Sequence, residues 1–221
     1  MKIQLYDLCG EDEAARFSPP CWRIKYALHH KQLPFLAIPT TFARIKGIED
    51  KKQSTLPVVN IDGNVIRDSW DIAVHLENTY PDNPTLFDGQ GGFAAARFVE
   101  GWANSVLSRA LLPLIIMGIH DRLGSEDQIY FRASREKRFG KKLEEVHCSD
   151  EAHIGSFRDT LLPMRQMLRK QSWIGGHAPL YADYIAFGTL KWGQMCADFN
   201  LFDEKDIVLD WYDRCLDLYQ T

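Results

Sequence analysis

The chain has 221 residues, 45% of them hydrophobic and 25% charged, with a formal net charge of −4. That is ordinary globular composition, sufficient for one large core or two modest ones. The small charge of mixed sign excludes the clustered basic face that nucleic-acid binding needs. The longest apolar run, over 110–117, is short for a membrane span and holds Pro113. Five scattered cysteines make neither a disulfide framework nor a metal site. The first residues read as a strand rather than a signal peptide, so a reducing cytoplasm is the expected compartment.

Ile3–Leu8 alternates apolar and polar residues, as a half-buried strand does. A polar loop then leads to Phe17-Ser-Pro-Pro, and Ser18 followed by two prolines is a helix start. Serine caps free N–H groups, and proline has none to waste. The helix runs to His30, with Ile24, Ala27 and Leu28 on one face. A short strand is expected over 35–38, then a weak helix and loop over 42–55. Val58–Ile61 and 65–67 are two β-type runs around Asp62-Gly63-Asn64, a preferred hairpin turn. Asp68-Ser69 introduces a helix over 70–80, with Ser69 read as its N-cap. Residues 81–92 are dense in breakers, which places a linker at 83–92 between a domain over 1–82 and another over 93–221. Beyond it no strand is evident. Helices are expected over 93–121, bent near Pro113, and over 127–146, 153–170, 181–200 and 205–219.

The first domain therefore reads β-α-β-α-β-β-α. That is a thioredoxin-like α/β arrangement, and the second domain is all-helical. In this order Ser18-Pro-Pro-Cys21, Leu56-Pro57, Asp68-Ser69 and Ala182-Asp183 resemble the soluble glutathione transferase family along essentially the whole chain. Within it, the string from Ser18 to Leu28 and Asp68-Ser-Trp70 look most like the bacterial glutathione-dependent β-etherases and related fungal serine-type transferases.

The resemblance implies glutathione as co-substrate, a small hydrophobic and aromatic electrophile, no metal, and a homodimer. β-Aryl ethers are one candidate substrate class. A free thiol has a pKa of roughly 8.5, so few glutathione molecules are nucleophilic at neutral pH. A hydroxyl donated to the sulfur beside the positive end of a helix favours the thiolate, and Ser18 can supply both. The bland alternative for Ser18 is a plain N-cap. Asp68 would pair with the γ-glutamyl amine and Ser69 with its carboxylate, whereas both could merely cap a helix. Leu56 would pair its backbone with the cysteinyl part across a cis bond to Pro57. Lys52 and Gln53 could reach the glycyl carboxylate.

Cys21 offers a rival chemistry, a thiol transferase or reductase, although the attacking cysteine of redox relatives occupies the position of Ser18. A non-catalytic aromatic-ligand carrier on the same fold is the second rival. Tyr6 and the aromatics Phe93, Trp102, Trp173 and Trp192 read as packing residues. Leu180 stands where the helical domain's capping box wants serine or threonine, so half of that reciprocal cap is missing.

Overall fold

A computed structural model describes residues 2–49 and 55–219. Four strands, β1 (Ile3–Leu8), β2 (Leu36–Thr40), β3 (Val58–Ile61) and β4 (Asn64–Arg67), form one mixed sheet in the order β2-β1-β3-β4. β1 and β2 run parallel through the crossover helix α1 (Pro19–His30), and the other pairs are antiparallel. The hairpin closes through Asp62 and Gly63, both at positive φ as the Asp-Gly pair foretells. A short 3₁₀ turn (Phe42–Gly47) follows β2, and α2 (Ser69–Thr79) follows β4.

The remainder is helical. α3 (Gly89–Trp102) begins four residues before the expected start at Phe93 and continues through a π-type turn (Ala103–Leu107) into α4 (Ser108–His120). A π-type irregularity thus lies upstream of Pro113, which sits inside α4. Ser105 contributes to it by donating its hydroxyl to the Gly101 carbonyl at 2.6 Å. At 32 residues this combined helix is long and apolar enough to cross a membrane by length and composition, contrary to the reading of its apolar run; its buried face packs against α9. The helix expected over 127–146 divides into α5 (Ser125–Phe139) and α6 (Leu143–Val146), because Gly140 ends α5 at φ 67°. The helix over 153–170 likewise divides into α7 (Glu151–Asp159) and α8 (Leu162–Leu168), the second opened by Pro163. α9 (Tyr181–Cys196) and α10 (Ile207–Leu218) complete the domain.

α9 is the buried spine, with Tyr181 to Leu190 all buried. Its start is organised by Asp183, fully buried, whose carboxylate accepts from the N–H groups of Ile174, Gly175 and Leu180 and from Trp211 Nε1 at 2.7–3.0 Å. Leu180 has no side-chain acceptor, so only the carboxylate half of a capping box exists, as the sequence indicates. The missing half is offset by the extra donors. Burial pushes the Asp183 carboxyl upward, and these four donors pull the other way.

Asp183→Ala would strand four N–H donors, three part-buried and that of Trp211 buried, and an unsatisfied buried donor costs about 1–3 kcal/mol. A loss of at least about 3 kcal/mol is expected from the urea midpoint, against about 1 kcal/mol for Trp211→Phe, which removes one donor. An unchanged midpoint for Asp183→Ala would show that the carboxylate does not organise this end.

Candidate active site

Sheet register assembles the site. Tyr6 lies opposite Val58, and Val58 opposite Arg67, so the C-terminal ends of β1 and β4 and the start of β3 share one edge of the sheet. Pro57 precedes β3 there and Asp68 follows β4. The Leu56–Pro57 bond is cis. Asp68, not Ser69, is the N-cap of α2: its Oδ1 accepts from Trp70 N at 2.8 Å and from Asp71 N at 3.4 Å. The side chain one residue earlier reaches these donors because Asp68 adopts φ 68°, a conformation that aspartate tolerates better than most residues. Ser69 is then the first helical residue, buried, and its carbonyl accepts from Tyr181 Oη at 2.8 Å across the two domains. Trp70 packs among Phe87, Phe93 and Tyr181, with the Arg97 guanidinium 3.6 Å from its ring centroid.

Ser18 caps α1 at the same edge. Its Oγ accepts from Cys21 N at 3.4 Å, and the intervening Pro19 and Pro20 have no N–H. The hydroxyl also lies within hydrogen-bond reach of the Cys21 thiol, and by turning from it Ser18 can donate its proton to an anion at the helix head. Ser18 is 6% exposed and faces a crevice of about 200 Å³ with Phe17, Phe42, Leu112, Phe131 and Trp192. Asp127 of α5, buried, fixes one wall by accepting from Phe42 N and Ala43 N, both at 2.8 Å.

A larger cleft of about 600 Å³ shares Pro19, Leu112, Arg138 and Trp192 with the crevice and opens along α4. The two form one continuous recess between the domains. Four arginines, Arg23, Arg109, Arg135 and Arg138, line it. Arg23 is buried, with Nη2 3.0 Å from Asn104 Oδ1 and Nη1 3.7 Å from Glu100.

Residues 14–84 match the model of the glutathione S-transferase N-terminal domain, and residues 94–216 that of the C-terminal domain. The chain belongs to the glutathione S-transferase family. A glutathione S-transferase-like protein of Aspergillus flavus, ustS, is 29% identical over 136 residues, 57% of this chain; the match spans about half (49%) of that relative's length. Among solved structures, glutathione transferase GSTFuA3 of Phanerochaete chrysosporium superposes with a TM-score of 0.86 at 22% identity, over 99% of this chain and 98% of that one. A glutathione S-transferase of Ceriporiopsis subvermispora, in complex with glutathione, gives 0.79 at 23% identity, over 99% and 96%.

Within this family member the rival residues separate. Cys21 is fully buried, and burial foremost, aided by the charge of Asp7, pushes its thiol far above the usual range. A thiol held neutral and dry is no nucleophile, so the structure opposes redox chemistry at Cys21. Tyr6 donates to Glu49 Oε1 at 2.5 Å; burial and that carboxylate push its pKa up to about 12. Its hydroxyl is committed to Glu49, and Tyr6 does not line the recess. Lys52 and Gln53 lie outside the described residues. Trp192 does line the recess, contrary to its reading as packing alone. The arginines, Phe42 and Asp127 escaped sequence reasoning entirely. Only the recurrence of arginine at 135 and 138, one turn apart, could have signalled them.

Cys9, Cys21, Cys196 and Cys215 are at most 2% exposed, and Cys148 alone is more open. A maleimide applied to the native protein should add one equivalent, mapped by peptide mass to Cys148. Rapid addition at Cys21 would restore the thiol-transferase chemistry.

Proposed function

We propose that this chain is a serine-type glutathione transferase that conjugates glutathione to an electrophilic aromatic compound. The observation that carries the reading is Ser18: its oxygen accepts from Cys21 N–H at the head of α1, and its hydroxyl, a donor, lines an apolar crevice. Glutathione is held at the sheet edge marked by Leu56–Pro57 and by Asp68 and Ser69. Its sulfur lies at the head of α1, where a donated hydroxyl and the helix N-terminus favour the thiolate.

The bound thiol gives its proton to solvent. A sulfur lone pair then forms the new carbon–sulfur bond, and the leaving group departs with the electron pair of the bond that breaks. Trp192, Phe139 and Leu112 give the acceptor an apolar surface in the recess. The likeness to a fungal transferase that holds glutathione supports the co-substrate. The string from Ser18 to Leu28, with Trp70 after Asp68-Ser69, favours β-aryl ethers as one acceptor class, and a homodimer is the expected assembly.

Glutathione should raise the melting temperature. Binding to the folded state alone is worth about 2.7 kcal/mol at a hundredfold excess over Kd. Ser69→Ala and Asp68→Asn should move that curve to higher glutathione. Chlorodinitrobenzene should be conjugated, and β-aryl ether model compounds should release a phenol and yield a glutathione thioether. Absence of any thermal shift at saturating glutathione rejects the site. Conjugation of chlorodinitrobenzene without ether cleavage removes only the ether class.

A further inference from the structure

The recess has an electrostatic character that glutathione does not require. The chain as a whole is acidic, yet Arg23, Arg109, Arg135 and Arg138 line the two joined cavities, and among the described residues no aspartate or glutamate does. Elsewhere the surface arginines of α5 and α7 find carboxylates: Arg132 pairs with Glu136 and Glu144, and Arg158 with Asp203. Among the described residues Arg109, Arg135 and Arg138 form no ion pair. Arg135 and Arg138 also line the crevice together, three residues apart on α5. Burial, reinforced by the charge of Arg138, pulls the Arg135 pKa down. Like charges brought together without a carboxylate leave an unmet positive potential, and low-dielectric walls focus it.

Two of the guanidinium groups lie beside aromatic rings. Arg135 lies over the Phe131 ring at 4.8 Å from its centroid, and Arg138 beside Phe139 at 5.9 Å. Arg138 is the one arginine common to both cavities, so it stands where the crevice at Ser18 opens into the cleft. A planar guanidinium beside an aromatic ring, next to an apolar wall containing Trp192, suits a carboxylate carried on an aromatic ring.

Resting on the transferase reading above, we propose that the second substrate is an anionic aromatic compound, bearing a carboxylate or comparable oxyanion that Arg138 and Arg109 bind while its electrophilic carbon faces Ser18. With an aryl chloride bearing a carboxylate, the thiolate sulfur forms the carbon–sulfur bond and the carbon–chlorine bond breaks. Chloride leaves with the bonding pair, and the thiol proton passes to water. The carboxylate itself takes no part in the bond changes; it sets which acceptor is held.

The test pairs a carboxylate with its neutral isostere. Equilibrium dialysis of unreactive dinitrobenzoate and dinitrobenzamide, with and without glutathione, measures binding independently of turnover. Steady-state kinetics with the corresponding chloro compounds, each divided by its uncatalysed rate, measure catalysis. The carboxylate should bind about tenfold or more tighter than the amide, with the margin shrinking as salt rises. Arg109→Gln with Arg138→Gln should cut that margin about tenfold, while the lysine replacements should keep part of it. Both side chains are exposed, and an unchanged melting temperature checks that the variants fold.

Equal binding of acid and amide, or a preference that the double variant leaves intact, overturns the proposal. So does a rise in KM for glutathione with no change in the acid-to-amide ratio, since the arginines would then serve glutathione. A retained acid preference in dialysis with no turnover of either chloro compound would sink the transferase reading while supporting the anion site.

Discussion

The site depends on the contact between α1 and α9. At Gly188 a side-chain carbon would lie 2.6 Å from the Pro19 carbonyl oxygen, so only glycine lets the spine of the helical domain approach the head of α1. Around it Trp22, Tyr26, Tyr184 and Phe187 interlock, with the Tyr26 and Phe187 rings 4.6 Å apart. Each such ring buries enough area to contribute on the order of 4–6 kcal/mol as an upper bound. The far end of α1 is tied as well: Lys31 is fully buried, with its Nζ 2.6 Å from Glu77 of α2. Ser18 therefore stands on a helix pinned at both ends, and its hydroxyl direction is set by the scaffold rather than by a mobile loop.

The two domains contribute different chemistry to one recess. The sheet edge contributes polar groups: the cap of Asp68, the buried Ser69 and the hydroxyl of Ser18. The helical domain contributes walls and charge. Asp127 reaches across to hold Phe42, and Tyr181 reaches back to the Ser69 carbonyl, so strands and helices fix each other's site residues. Binding of a tripeptide and of an aromatic acceptor can thus vary separately, since Asp68 and Ser69 sit on α2 and its cap while the arginines sit mainly on α4 and α5.

Local rules made much of this legible. Ser18 before two prolines, the Asp-Gly hairpin and the breakers after Tyr80 each state a backbone requirement that holds in any context. The ordering of those elements carried the fold. Local rules failed where tertiary distance decides. Asp68 rather than Ser69 caps α2 because of a positive φ that no propensity reveals. The helices over 127–146 and 153–170 broke where Gly140 and Pro163 stood, signals that apolar periodicity outweighed. The charged lining of the recess was invisible because Arg23, Arg109 and Arg138 are far apart in the chain, and each alone resembles a solvated surface arginine.

The central claim is that Ser18 stabilises the sulfur anion of bound glutathione. The most direct measurement is the ultraviolet thiolate absorbance of glutathione bound to the protein, followed against pH for the native chain and for Ser18→Ala. Donation of a hydrogen bond to the charged form lowers a pKa, so the native complex should titrate below the free thiol value of roughly 8.5. Loss of that bond should raise the bound value by roughly 1–2 units while glutathione remains bound. Identical titration curves for the two complexes would leave Ser18 as an N-cap and contradict the account.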